Sequence, residues 1–149
     1  MDLRTFNNTG RCILHPRPDS FDSVLCESGP PPVKLSDGNF LFVYNSARKS
    51  SDPTPVPGWD LQYNIGYTIR AEKGFPFEEL DRAQEPLLSP TLDWERCDTS
   101  SNVPGLTPNV VFTEGMKRMR TLPNTWLMYY QGCDSRMAIA LVTVTIEDV

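Results

Sequence analysis

The sequence predicts an all-β chain, about two blade-like antiparallel units of the kind found in β-propellers, and three observations carry that prediction. Apolar and polar residues alternate with period two through "FLFVYNS" and "TWLMYYQG", the signature of strands with one covered face. Fourteen prolines among 149 residues are almost twice the usual share of about 5%. They cluster at 16–18, 30–32 and 53–57 between the apolar runs. Finally, one pattern of strands occurs twice, so the chain reads as a single unit, 1–149, of two approximate blades at 11–85 and 86–149.

In the first copy, Pro32 to Leu35 is a candidate strand that turns through Ser36-Asp37-Gly38-Asn39 into "FLFVYNS". There Phe40, Phe42 and Tyr44 face one way and Leu41 and Val43 the other. After the Pro-rich loop comes "YNIGYTIRA", with Gly66 where a neighbouring backbone or a ligand can approach closely. The segment "FPFEELDRAQEPLLSP" holds helix formers from Phe77 to Ala83 but two later prolines, and reads as an outer strand or turn. The second copy runs "PNVVFTEGMKRM", a turn at Leu122-Pro123-Asn124, "TWLMYYQG" and "SRMAIALVTV". Tyr44 falls on Tyr130 and Gly66 on Ala138, the spacing within the first copy being longer by its Pro-rich loop. A propeller ring closes with at least about four blades, so either this chain supplies only part of one or the repeat reading fails.

Charge and composition exclude several functions. Fourteen Lys and Arg against nineteen Asp and Glu give a net charge of −5, and the densest basic run, "MKRMR", is broken by methionines. Nucleic acid is not an expected partner. The N-terminus "MDLRTFNNTGRC" has no signal-peptide core and no run approaches the ~18 apolar residues of a membrane span. A soluble, cytoplasmic protein without a membrane partner is the expectation, and the "NNT" at Asn7 is a glycosylation sequon only in a secreted chain. Cys12, Cys26, Cys97 and Cys133 are too far apart for a zinc knuckle or a Cys-x-x-Cys pair. They read as buried free thiols. No metal or cofactor is expected. His15 is the sole histidine, held in "LHPRP", so a Ser-His-Asp or Cys-His triad is not expected.

Four stretches, in order, resemble glycoside hydrolase family 130, the five-bladed propellers acting on β-mannosides: "PRPDSFDS", "ESGPPPVKLSDGNFLFVYNS", "YNIGY" with "EPLLSP", and "PNVVFTEG" with "YYQGCDSRMAIA". The resemblance covers nearly the whole chain and corresponds to the family's C-terminal two-fifths or so, about two blades of a five-bladed ring. It implies a mannosyl site at the propeller axis. Asp134 falls on the family's "ADS" aspartate, which resembles a mannose hydroxyl ligand; a carboxylate accepts charge-assisted bonds from two adjacent hydroxyls. Asn109 and Glu114 lie in the matching "PNVVF" segment, and Tyr63 matches the tyrosine of a "YxLG" strand. Phosphorylase members follow the equivalent of Tyr44 with a histidine, where this chain has Asn45, with Arg48 and Lys49 nearby. They usually carry a small residue before "GPPP", where this chain has Glu27.

Glu27 is therefore the candidate general base for an attacking water, and Tyr63, Asn109, Glu114, Asp134 and Asn45 are the candidate substrate-binding residues. The family's general acid resembles an aspartate of an earlier blade, which this chain does not contain. Plainer readings stand beside these: Glu27 as a solvated loop acid, Asp134 as a turn cap, and Glu114 as a turn residue where "TEG" reads as a strand end. Tyr129, Tyr130 and Trp126 read as core or sheet-face residues, and one of Trp59 or Trp94 as a sugar-stacking ring. The expected function is the C-terminal portion of an inverting β-mannoside-active glycosidase, hydrolysis favoured over phosphorolysis, binding a mannose-containing oligosaccharide. The alternative is an inactive truncated propeller serving as a carbohydrate-binding or assembly module. A third reading closes the ring by self-association of several copies.

Overall fold

The computed structural model describes residues 8–50, 59–74, 77–97 and 105–146. Asn7 and the prolines at 53–57 lie outside them. Eight strands run β1 Leu25–Ser28, β2 Val33–Lys34, β3 Phe40–Lys49, β4 Leu61–Arg70, β5 Glu79–Arg82, β6 Val111–Arg118, β7 Thr125–Gly132 and β8 Arg136–Thr143, with a one-turn helix α1 at Asp93–Arg96 between β5 and β6. The first sheet has the order β1-β3-β4-β5, with β2 also on β3, and the second the order β6-β7-β8. Every pairing is antiparallel.

The repeat read from sequence has a structural counterpart in the register: Tyr44 stands opposite Gly66 and Tyr130 opposite Ala138. In the first copy the turn before β3 is made by Gly38 at φ 93° and by Asp37, whose Oδ1 accepts from the Asn39 N–H at 3.0 Å. The two sheets pack face to face. Leu41, Val43 and Ile65 of the first share one buried cluster with Trp126, Met128, Tyr130 and Val142 of the second. On the outer face of the first sheet, Phe40 and Phe42 lie 5.7 and 6.4 Å from Phe77, and Tyr44 stacks on Phe21 at 6.5 Å.

The same face is covered in one copy and open in the other. Ile65, Tyr67 and Ile69 of β4 pack into the inter-sheet core. Their repeat equivalents in β8, Met137, Ile139 and Leu141, are 76%, 57% and 59% exposed. Two stacked antiparallel sheets, the second with one apolar face uncovered, agree with the partial propeller the sequence predicts.

Three sequence expectations change. The stretch from Phe77 to Ala83 does contain an outer strand, β5, but "DWER" beyond it forms α1, which the proline spacing hid. That turn is held by Glu95, whose Oε2 accepts from the N–H groups of Thr91 and Leu92 at 2.9 and 3.0 Å while Oε1 accepts from the Tyr130 hydroxyl at 2.9 Å. Glu95 is buried, and burial of Tyr130, then the hydrogen bond to Glu95 and its negative charge, push the Tyr130 hydroxyl up to about 12. Second, Cys97 and Cys133 are not free thiols but a disulfide, bringing their Cα atoms to 6.3 Å across a sequence separation of 36. Both sit in left-handed conformations, Cys97 at the C-cap of α1 and Cys133 in the β7–β8 turn, and so leave their strands and helix toward one another. Cys12 and Cys26 are the free cysteines among the described residues. Third, Glu114 lies inside β6, not at a strand end.

Candidate functional site

Glu27 is the third residue of β1 and stands directly opposite Asn45 of β3. Opposed residues of an antiparallel pair share a face, so Glu27 projects on the side of Asn45, Ala47 and Tyr63, the side that meets the second sheet. Just beyond it the chain passes so close to β3 that a Cβ on Gly29 would run into the Val43 carbonyl. Gly29 thus lets the end of β1 lie tight against β3.

Tyr63 is half-buried and lies at the centre of an aromatic run, stacked 6.0 Å from Trp59 with planes 9° apart and tilted 6.3 Å from Phe112. Its backbone N–H donates to the Asn109 carbonyl at 2.9 Å, and the Trp59 Nε1–H donates to the Pro108 carbonyl at 3.1 Å, so backbone of the second unit fixes both rings. Burial, then the negative charges of Glu27 and of Asp134, raise the Tyr63 hydroxyl above its ordinary value. Tyr63 is therefore close enough to both carboxylates to feel each.

Asp134 sits at φ 49° directly after Cys133 at φ 51°, a left-handed pair closed by the Ser135 N–H donating to the Gly132 carbonyl at 3.2 Å. The turn is made by backbone, leaving the exposed Asp134 carboxylate for other partners. Asp134 lines a 390 Å³ cavity together with Glu114, Phe112, Tyr129, Gln131 and Arg136. Glu114 reaches it because β6 bulges between Thr113 and Gly115, which leaves Glu114 without an opposite number on β7. Glu27 also borders a separate 560 Å³ cavity walled by Ile13, Leu14, the three prolines and the outer-face residues Phe42 and Thr68.

Two predicted ligands play a different part. Asn45 is fully buried, and its side-chain amide is committed: Nδ2 donates to the carbonyls of Ser28 and Thr113 at 3.0 and 2.9 Å, and Oδ1 accepts from the Thr113 N–H at 2.8 Å. Its amide pairs with a backbone peptide of the second sheet, so it is not a ligand open to sugar or phosphate. Asn109 is also buried, at φ 56°, and enters through its backbone, accepting from Tyr63 and donating to Arg96 at 2.9 Å. Of the two tryptophans, Trp59 belongs to the aromatic run. Trp94 instead packs 5.7 Å from Tyr130 and against Gly132. Phe112 was not singled out by sequence; only its place opposite Gln131, one residue before buried Thr113, marks it.

The cations near Asn45 are engaged elsewhere: Lys49 pairs with Asp60, and Arg48 donates to Gln62 at 3.3 Å. Tyr44 turns away from the site, its hydroxyl donating to Asp22 at 2.8 Å. The His15 ring lies 3.7 Å from the Cys12 thiol, and the His15 carbonyl accepts from Arg82, which also donates to Asp22. No cluster of three metal-ligating side chains occurs among the described residues, nor does any helix there have the length and apolarity to cross a membrane.

A family model for glycoside hydrolase family 130, described as beta-1,4-mannooligosaccharide phosphorylase, matches residues 2–149. The chain belongs to this family. Curated family 130 relatives include two proteins of Thermoanaerobacter sp. (strain X514). One, a 1,2-beta-oligomannan phosphorylase, is 32% identical over 87% of this chain and 36% of its own length. The other, a beta-1,2-mannobiose phosphorylase, is 26% identical over 87% and 35%. Among solved structures, a putative glycoside hydrolase from Parabacteroides distasonis superposes with a TM-score of 0.63 at 31% identity, covering 85% of this chain and 33% of that one. A glycosyl hydrolase from Bacteroides ovatus gives 0.62 at 26%, covering 86% and 32%. The family 130 chain described here spans about a third of the length of these relatives.

Proposed function

We propose that this chain forms the mannosyl-binding half of an inverting β-mannoside-cleaving site in which Glu27 activates water. The observation that carries the reading is Tyr63, stacked on Trp59 and within the field of the Glu27 and Asp134 charges. An aromatic face beside acceptor carboxylates suits a sugar ring, which offers C–H groups to the ring and hydroxyls to the acids. Glu27 takes the proton as water attacks the anomeric carbon, while an acid from another blade protonates the leaving oxygen. In an inverting enzyme these groups stand roughly 6.5 to 9.5 Å apart, leaving space for the water.

Water is favoured over phosphate by electrostatics. A carboxylate about 4 Å from a phosphate repels it by several kcal/mol at an effective dielectric near 20. Asn45 supplies no phosphate ligand, because its amide is spent on Thr113 and Ser28. The second reading, phosphorolysis, is favoured by the names of the two curated relatives.

The test uses the protein encoded by the full reading frame with β-1,2- and β-1,4-mannobiose, followed by proton NMR with and without phosphate. Free α-mannose as first product, unchanged by phosphate, supports hydrolysis; α-mannose 1-phosphate formed only with phosphate replaces it by phosphorolysis. Glu27→Gln is expected to lower kcat by roughly 10²- to 10⁴-fold, and near-normal hydrolysis in that variant would refute the base assignment. Mannoside binding without turnover in either condition would leave the carbohydrate-binding module.

A further inference from the structure

We infer that Asn45 is a positioning residue that sets the separation between the carboxylates of the two blades. Its place in the register is what singles it out. Along β3 it stands opposite Glu27. Across the inter-sheet boundary its amide makes a two-way pair with the backbone of Thr113, accepting from the N–H at 2.8 Å and donating to the C=O at 2.9 Å. Thr113 is the last paired residue before the bulge that carries Glu114.

One buried side chain thus joins the ladder position of Glu27 to the backbone residue preceding Glu114. The pair has the hydrogen-bond pattern of one rung of a β-ladder, made where no strand of the first sheet pairs with the second. Thr113 is itself immobilised, fully buried with its hydroxyl donating to the Tyr129 carbonyl at 2.8 Å. The link is therefore stiff from β1 through β3 to β6 and β7. A serine or alanine at 45 would leave the Thr113 N–H and C=O buried without partners, and the two sheets would slide to recover them. Shifts of about 1 Å between reacting groups cost on the order of 10²-fold in rate.

The inference rests on the proposed role of Glu27, and its test separates the two. In the full-length protein, Asn45→Asp keeps the shape of the side chain. While the introduced carboxyl is protonated it donates to the Thr113 carbonyl and accepts from the N–H; once ionised it faces that carbonyl with like charge and the link opens. Asn45→Asp is therefore expected to work within about threefold of wild type at the acid end of the activity range. It should lose roughly 100-fold in kcat as pH rises, with KM changed less than threefold and the far-ultraviolet spectrum unchanged. Asn45→Ala should show the loss at every pH, and it carries the test if Asn45→Asp unfolds at the alkaline end.

Hydrogen exchange at the Thr113 amide reads the link without any activity: slow in wild type, faster in Asn45→Ala. Unchanged Thr113 exchange overturns the link, and faster exchange with unchanged kcat and pH profile overturns its positioning role. Near-normal turnover in Glu27→Gln overturns the base assignment alone, since neither Thr113 exchange nor the Asn45→Asp pH profile is read through that variant.

Discussion

The ring of Tyr44 lies on Gly66, its cross-strand partner, so closely that a Cβ at position 66 would meet Tyr44 Cζ at 2.6 Å and Phe21 Cε2 at 2.9 Å. The second copy places Tyr130 over Ala138 in the same register, a small residue again beneath the ring. Gly66 thus answers to a neighbouring side chain, not to a ligand. Gly66→Ala is expected to destabilise the protein by about 1–3 kcal/mol through overpacking of a site whose neighbours are all buried. Urea unfolding checks it, the midpoint falling at unchanged slope; a midpoint equal to wild type would mean that Phe21 and Tyr44 yield freely.

Beneath that ring, Asp22 gathers three charged or polar groups. Arg17 donates at 3.1 and 3.2 Å, Arg82 at 2.6 Å and the Tyr44 hydroxyl at 2.8 Å, and Asp22 is fully buried. Burial alone would raise its carboxyl, but Arg17, Tyr44 and Arg82 together outweigh that and hold it below the ordinary value. The unfolded chain therefore takes up this proton before the native one does. The stability it contributes is complete above the unfolded value of about 3.9 and is lost as pH falls through the lowered native value. Asp22→Asn leaves Arg82, whose side chain is 9% exposed, without its counter-charge, and is expected to cost about 3 kcal/mol at pH 7. Denaturant melts at pH 7 and pH 3 test both points: the gap between wild type and Asp22→Asn should narrow at the lower pH.

The disulfide ties the Asp134 turn to the end of α1. Closing a loop across a sequence separation of 36 restricts the unfolded chain by about 4 kcal/mol in the chain-entropy treatment. Cys133→Ser, or reduction, is expected to remove most of that. It should also weaken mannose binding several-fold, because the residue next to the bond is Asp134. Equal affinity in reduced and oxidised protein would show that the backbone turn alone holds Asp134 in place.

How much of this was legible in the sequence follows from how local each signal is. β3, β4, β7 and β8 carry period-two alternation over eight or ten residues, and the Tyr44–Tyr130 repeat needed only comparison of one segment with another. The roles of Asn45, Glu95 and Cys97 depend on partners at a distance in the chain: Thr113, Tyr130 and Cys133 respectively. No local pattern announces such pairs, so Asn45 read as a ligand and the cysteines as thiols. Glu114 was misplaced at a strand end because Glu-Gly after threonine has the composition of a turn, and a bulge uses the same residues inside a strand. Within the candidate site, sequence named the carboxylates and Tyr63, while Phe112 and the committed amide of Asn45 emerged only from the meeting of the two sheets.

Tyr63 offers the sharpest separation of stacking from hydrogen bonding. Its ring stacks on Trp59 and tilts against Phe112, and its hydroxyl is held protonated by burial and by Glu27 and Asp134. Tyr63→Phe keeps the ring and removes one donor, so mannose affinity should fall by roughly 2- to 10-fold, the worth of one net hydrogen bond. Tyr63→Ala removes the platform as well and should lower affinity by at least a further 10-fold, with a smaller negative heat-capacity change on binding as less apolar surface is covered. Because the hydroxyl titrates above its ordinary value near 10, the difference between wild type and Tyr63→Phe should be the same at pH 7 and pH 9. Titration calorimetry at both pH values measures all three quantities. Equal affinity in wild type and both variants would remove the aromatic run from the sugar site and leave the carboxylates to bind alone.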